Sequence, residues 1–222
     1  MPTDALPALQ DGQATYTDGA KMTAWDLRRT VCVFCGSSDG ADPVFKETAI
    51  EVGRALAEAK LKLVYGGGGI GLMGAVADAA MQCGGHVTGV MPRFLEKVER
   101  PTLDITETIL TEDMHERKMG MWGRADGFLV LPGGVGTLEE LAEQITWLQL
   151  KQHTKPIVML NTLGYWDPLE ALFKHMRNNG FIRGSYEIDY HLTAGVSDAI
   201  AHLQANWPSS TTRPGHACHP ID

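Results

Sequence analysis

The segment Pro132-Gly133-Gly134-Val135-Gly136-Thr137-Leu138-Glu139-Glu140 combines residue types that hold an anion with residue types that do acid–base work. Its glycines free main-chain N–H groups to approach a ligand closely. Thr137 adds a hydroxyl and an N–H at what reads as a helix start, where the positive end of the helix dipole also lies. A phosphate suits such a cradle. The loop is not a Walker A motif, because Thr137 follows Gly136 directly and no lysine intervenes. Glu140 falls one turn inside the helix, so its carboxylate can face the same mouth. Equally, an acid near any helix start gains about 0.3–1 kcal/mol from the dipole, and Glu139 and Glu140 cannot both face a ligand.

A second set of reactive residues precedes this one. Asp113-Met114-His115-Glu116-Arg117-Lys118 opens a helix on which Met114, Arg117 and Met121 share one stripe. A guanidinium on an apolar stripe either snorkels to solvent or grips a phosphate or carboxylate in a pocket, where its planar fork is favoured. His115 and Lys118 fall on neighbouring faces and read as solvated.

A further glycine cluster, Gly66-Gly67-Gly68-Gly69-Ile70-Gly71-Leu72-Met73-Gly74, follows the strand Leu61–Tyr65 and leads into the Ala-rich segment 75–80. Strand, glycine loop and helix in this order make a phosphate site, with a purely structural tight turn as the plainer reading. Gly66, Gly68 and Gly71 also match the G-x-G-x-x-G dinucleotide fingerprint. That fingerprint requires an acid at the end of the next strand, about 20 residues on. Here the strand His86–Val90 ends in Met91-Pro92, and the cluster follows the second strand rather than the first, so NAD and FAD are not expected.

Cys32 and Cys35 match C-x-x-C, but they lie in the β-branched, apolar run Thr30–Cys35. The two-residue period of a strand sends their side chains to opposite faces, as expected of buried thiols rather than a redox pair. Cys83 and Cys218 have no partner at zinc-ligand spacing. His216, Cys218 and His219 crowd a Pro-flanked tail that reads as surface, and no metal site is expected.

The elements that must position these residues alternate short apolar runs with helical periodicity, the pattern of βαβ units in a parallel sheet. Strands are expected at 30–35, 61–65, 86–90, 127–131 and 156–160, with 105–110 as a shorter candidate. A helix at 43–60 opens on Pro43 and carries Phe45, Ala49, Val52 and Leu56 at helical spacing; Leu138, Leu141, Ile145 and Leu148 repeat that spacing after Gly133–Gly136. A last helix is expected over 196–205. Trp147, Trp166 and Phe173 sit at helical spacings that favour core over a base pocket or dimer contact. The organisation is a polar arm at 1–26, one domain at 27–206 and an unstructured tail at 207–222.

Length and composition agree with one globular domain: 222 residues, 44% hydrophobic and 21% charged. The 25 glycines exceed the usual ~7%, and the clusters hold much of the excess. A net charge of −8 argues against a nucleic-acid polymer or an anionic membrane as partner, since either needs a basic field. No run approaches the ~18 apolar residues of a membrane span, and the first 26 residues lack a basic start followed by an apolar run. A cytoplasmic chain is expected.

Taken together, Met114-His-Glu-Arg117-Lys118 and Pro132-Gly-Gly-Val-Gly-Thr-Leu-Glu-Glu140 resemble the paired M-x-x-R-K and P-G-G-x-G-T-x-x-E motifs of the LONELY GUY family of cytokinin riboside 5′-monophosphate phosphoribohydrolases. The Tyr65–Gly74 segment and Phe34-Cys-Gly-Ser-Ser38 fit the same family, and the resemblance covers roughly 31–203. It implies a Rossmann-like, doubly wound α/β fold with helices on both faces of a parallel sheet, and a homodimer or larger homo-oligomer with sites near the interface. The reaction it implies is hydrolysis of AMP or an N6-substituted AMP to free base and ribose 5-phosphate. By motif, Arg117 and Glu140 form the catalytic pair. Gly133, Gly134, Gly136 and Thr137, with Lys118, Gly67, Gly68 and Ser37, bind the substrate and its phosphate. Arg117 serves either the leaving base or the phosphate. No cofactor is required. Two other classes compete: a pyridoxal-phosphate lysine decarboxylase, which needs a Schiff-base lysine that no lysine here suggests, and a non-catalytic nucleotide or molybdenum-cofactor carrier, against which the Arg117–Glu140 pair speaks.

Overall fold

Apolar, β-branched runs too short for helices form the strands of one parallel sheet in a computed structural model, which describes residues 25–96 and 104–208. The strands are β1 (Thr30–Phe34), β2 (Lys62–Tyr65), β3 (Val87–Pro92), β4 (Glu107–Thr111), β5 (Gly127–Val130), β6 (Ile157–Leu160) and β7 (His191–Thr193). Their order across the sheet is β4-β3-β2-β1-β5-β6-β7, and every neighbouring pair is parallel. Strands β1, β5 and β6 are buried along their whole length, as central strands covered on both faces must be.

Among the described residues the α-helices are α1 (Pro43–Glu58), α2 (Gly71–Gln82), α3 (Met114–Arg124), α4 (Val135–Gln149), α5 (Asp167–Asn178) and α6 (Val196–Ala205). Asp42 caps α1 by accepting the Val44 N–H, and Pro43 takes the first turn, where its missing N–H is harmless. The expected extension of α1 to Lys60 does not occur, because Lys60 adopts φ +57 and turns the chain toward β2. The helices pack on both faces. Val31, Val33 and Cys35 point into the core shared with α1, α2 and α6, whereas Cys32 and Phe34 point into the one shared with α3, α4 and α5. The expected opposite facing of Cys32 and Cys35 follows from this alternation.

Several boundaries differ from the sequence reading. Strand β3 runs on to Pro92 and β4 shifts to 107–111, where each residue pairs with one of β3. Strand β7 and helix α5 add to the elements expected from the sequence. Leu138, on the expected apolar stripe of α4, is 40% exposed. Trp25, assigned to the arm, lies 5.8 Å ring to ring from His86, and Trp207, assigned to the tail, packs against the core. Positions 1–24 of the arm and 209–222 of the tail, including His216, Cys218 and His219, lie outside the described residues.

The strand order fixes where a site can form. The chain winds β1, β2, β3, β4 in one direction, and α3 then returns it so that β5 lands on the free side of β1. The carboxyl ends of β1 and β5 therefore diverge into loops running opposite ways, which is the crevice where open α/β sheets bind ligands.

Candidate active site

Three loops meet at this crevice. The β1 loop brings Gly36 and Ser37, the β2 loop brings Gly66, and the β5 loop brings Pro132–Gly134 into the start of α4. Main-chain bonds stitch them together: Gly36 N–H donates to the Pro132 carbonyl at 3.0 Å, and Met73 N–H donates to the Gly36 carbonyl at 3.3 Å. The crevice holds a half-open cavity of about 230 Å³, whose walls include Ser37, Gly66, Arg117, Gly134, Thr137 and Glu140.

Helix α4 starts at the cavity wall without a side-chain cap. Its N-cap is Gly134, which offers no side-chain acceptor, and its first turn contains no acid. The first N–H groups of a helix have no partners within it, so those of α4 keep their donors and partial positive charge at the cavity wall. Glu140 is the sixth residue of α4, beyond the first turn, and the dipole does not account for it. Its side chain is 12% exposed and lies against the cavity. At Gly134 and Gly136 an added Cβ would meet nothing within 4 Å. Packing within the chain therefore does not itself demand glycine at these two positions of the cavity wall.

Arg117 is buried, at 6% exposure. Asp113 caps α3 by accepting the Glu116 N–H, which sets the helix so that Arg117 lies beneath the β2 and β3 ends. Its Nε donates to the Val90 carbonyl and its Nη2 to the Gly66 carbonyl, each at 3.2 Å. Nη1 lies 3.6 Å from Glu140 Oε1. Of the two sequence-level readings of this guanidinium, snorkelling is therefore excluded. A Cβ at Gly66 would overlap Nη2, so glycine at this position makes the berth for the arginine.

Of the other residues expected in the site, Ser37, Gly134, Gly136 and Thr137 line the cavity with Arg117 and Glu140. Gly133 sits behind the wall, where a Cβ would run into Thr137 and the Gly36 nitrogen. Gly67, at φ +82, packs against Met91, and neither it nor Gly68 lines the cavity. Apart from Gly66 and Met73, which line the cavity, the Gly66–Gly74 cluster braces the site: at Gly71, φ +64, a Cβ would overlap the main chain of Ser37 and Ser38. Lys118 turns away to Glu139 and Glu143, at 3.0 Å from each, and is not the solvated residue its face suggested. Hydrogen bonds to both carboxylates raise its pKa.

The wall also includes Gly66 and Met73 of the Gly66–Gly74 cluster and Val135 of the β5 loop motif, together with Val33, Cys35 and Gly36, which were not expected in the site. The signal of those three is positional, since they lie at or just beyond the carboxyl end of the central strand β1. Burial, and then the charge of Glu140, push the Cys35 thiol far above its usual range, so it presents a neutral, apolar wall. The aromatics Trp147, Trp166 and Phe173 do not line the cavity: Trp147 lies edge-on to Trp122 at 5.6 Å, and Trp166 and Phe173 are core. No cluster of three or more potential metal ligands occurs among the described residues, and no helix among them is long and apolar enough to cross a membrane.

Comparison with known proteins adds the family. A family model described as "Possible lysine decarboxylase" matches residues 73–203. A cytokinin riboside 5′-monophosphate phosphoribohydrolase of Arabidopsis thaliana is 47% identical over 154 residues, which cover 69% of this chain and 71% of that one. A probable cytokinin riboside 5′-monophosphate phosphoribohydrolase of Oryza sativa subsp. japonica is 49% identical over 177 residues, covering 79% and 76%. Among solved structures, the molybdenum cofactor binding protein of Rippkaea orientalis superposes with TM-score 0.61 at 20% identity, covering 80% of this chain and 96% of that one. That likeness is one of fold alone. The relatives, together with the two motifs that meet across the Arg117–Glu140 contact, place this chain in the LONELY GUY family of cytokinin riboside 5′-monophosphate phosphoribohydrolases.

Proposed function

We propose that this chain hydrolyses the N-glycosidic bond of adenosine 5′-monophosphate or an N6-substituted form of it, giving the free base and ribose 5-phosphate. The observation that carries the reading is the placing of the Glu140 carboxylate and the Arg117 guanidinium, 3.6 Å apart, in one cavity with the uncapped start of α4. The 5′-phosphate occupies the N–H groups at the start of α4, with Thr137 and Ser37 beside it. This seats the ribose over Glu140. As the base departs, positive charge grows on the sugar, and a fixed carboxylate stabilises that charge and accepts a proton from the attacking water. The proton taken up by the leaving base comes from solvent or from a donor at the base.

Arg117 acts first on Glu140. Two of its three nitrogens are held by main-chain carbonyls, and the third faces the carboxylate, so the guanidinium fixes where the negative charge stands. Its remaining N–H bonds on Nη1 are available to the substrate. The cavity of about 230 Å³ is small beside the usual ~300–1,000 Å³ of small-molecule pockets. That supports an arrangement in which the base extends past this part of the crevice; a homodimer, with the second subunit covering the base, and a cytoplasmic location are part of the proposal. A lysine-decarboxylase chemistry would call for a Schiff-base lysine. The cavity wall described here includes none, and Lys118 is held by two carboxylates.

The test is release of free base, followed by chromatography, from AMP and from its N6-isopentenyl derivative, with Glu140→Gln as control. Release that disappears in the variant supports the reading, and the ratio of the two rates reports substrate preference. Tight binding of both nucleotides without release would instead support a carrier.

A further inference from the structure

Each of the three carbonyls that lead into α4 is drawn off by a donor. The Pro132 carbonyl accepts the Gly36 N–H at 3.0 Å, and the Gly134 carbonyl accepts the Leu138 N–H at 3.1 Å. Between them, the Gly133 carbonyl accepts the hydroxyl of Tyr165 at 2.6 Å. In a planar trans peptide the C=O of one residue and the N–H of the next point opposite ways. Holding the Gly133 carbonyl therefore sets the direction of the Gly134 N–H, and Gly134 is a wall of the cavity. Glycine has little torsional preference of its own, so without an external hold the Gly133–Gly134 peptide is the link most free to rotate. It is also the only one of the three held by a side chain.

Tyr165 is built to be fixed. It lies in the segment after β6, where Asn161 accepts the Trp166 N–H at 2.7 Å and donates to Asp167 at 2.8 Å. The Asn161 N–H is itself tied to the Thr193 carbonyl at 2.7 Å. The Tyr165 ring is edge-on to Phe45 of α1 at 5.8 Å and to Trp166 at 5.0 Å. The chain accepts left-handed φ at Leu163 (+53) and Gly164 (+71) to make this turn. A non-glycine residue in that region carries a conformational cost.

We infer that Tyr165 is a positioning residue for phosphate recognition: its hydroxyl presets the Gly133–Gly134 peptide so that the Gly134 N–H faces the phosphate of the substrate. The inference rests on the phosphoribohydrolase reading for its substrate, but not for its binding test. Tyr165→Phe removes one oxygen and keeps both ring contacts. One neutral hydrogen bond of preorganisation corresponds to about a three- to tenfold effect. The KM for AMP and the Kd for ribose 5-phosphate are expected to rise by that factor, with kcat within about twofold. The inhibition constant of adenosine, which lacks the phosphate, is expected to be unchanged, and the melting temperature little altered. Phe45→Leu loosens the ring packing but leaves the hydroxyl, and is expected to raise the AMP constant less than Tyr165→Phe does, with the adenosine constant unchanged; an equal shift in both constants counts against the inference. Unchanged ribose 5-phosphate affinity in Tyr165→Phe overturns the inference, and so does an equal loss for adenosine. Failure of the wild-type chain to release base from AMP would count against the phosphoribohydrolase reading alone, because the ribose 5-phosphate titration still tests Tyr165.

Discussion

The guanidinium of Arg117 reaches Glu140 from beneath the sheet ends, 3.6 Å from its carboxylate, while the carbonyls of Val90 and Gly66 hold its other two nitrogens. Neither partner is placed by its own helix alone. Helix α3 supplies the arginine, α4 the glutamate, and strand β3 with the loop after β2 fixes the guanidinium between them. Glu140→Gln keeps the shape of the side chain and removes its charge. It is expected to lower kcat for base release by at least about a hundredfold, as loss of a charge-stabilising group does, with AMP affinity within about threefold of wild type. Single-turnover base release and equilibrium titration of AMP measure the two separately. A variant that keeps half its rate would remove Glu140 from the chemistry.

Arg117→Lys tests the fork rather than the charge. An ammonium group cannot donate to the Val90 and Gly66 carbonyls and also face Glu140 in one plane. Activity is expected to fall about as far as in Glu140→Gln, despite the retained positive charge. Near-normal turnover in the lysine variant would mean that charge alone suffices and that the two carbonyl contacts are incidental.

Gly66→Ala probes the same geometry from the backbone. The added methyl would overlap Nη2 of Arg117, the end of a flexible side chain that can give way. The fold is expected to survive, with a melting temperature within a few degrees of wild type, whereas base release falls about ten- to a hundredfold because the guanidinium is displaced. Loss of folding would show that Arg117 cannot yield, and full activity would show that its position is unimportant.

The glycines of the β5 loop are expected to divide by what lies behind them. At Gly133 a Cβ runs into Thr137 and the main-chain nitrogen of Gly36, so Gly133→Ala is expected to destabilise the chain by about 1–3 kcal/mol, as overpacking does. At Gly134 a Cβ meets nothing within 4 Å, and the backbone sits at φ −85, which alanine tolerates. Gly134→Ala is therefore expected to change stability by less than about 1 kcal/mol while weakening AMP and ribose 5-phosphate binding. Denaturant unfolding and nucleotide titration of the two variants check this, and the opposite ranking would refute it.

How much of this was legible in the sequence differs between fold and site. The buried strands read clearly because parallel strands covered on both faces are continuous apolar runs, as in Val31–Phe34 and Phe128–Val130. Strand β7 is three half-buried residues with no run to detect. Helix α5 does carry end signals, Pro168 in its first turn, Asp167 and Glu170 at its start, His175 and Arg177 at its end. In the site, the motif located Arg117 and Glu140, but spacing could not show that Gly66 makes room for the arginine or that Lys118 faces Glu139 and Glu143. Those facts depend on which loops the strand order brings together. Tyr165, 32 residues from Gly133 in sequence, was unreadable for the same reason.

His153 offers a test of the scaffold away from the cavity. It follows α4, and its ring is buried, with Nε2 at 3.2 Å from the Gln144 carbonyl and Nδ1 accepting the Lys155 N–H at 3.1 Å. Burial, and secondarily the charge of Lys155, push its pKa down from 6.5 to about 4. The folded pKa is thus below the unfolded one, and the unfolded chain takes up the proton first as pH falls. The stability associated with the neutral ring is fully present above about pH 6.5 and drains away between there and about pH 4. Allowing for solvent at the edge of the ring, the loss is about 2 kcal/mol. Urea unfolding at about pH 7 and pH 4.5 is expected to show this loss in the wild type over and above that of His153→Gln, whose side chain does not titrate. Carboxylates that titrate in the same window contribute equally to both proteins, so parallel pH dependences would mean that the ring is already solvated in the folded chain.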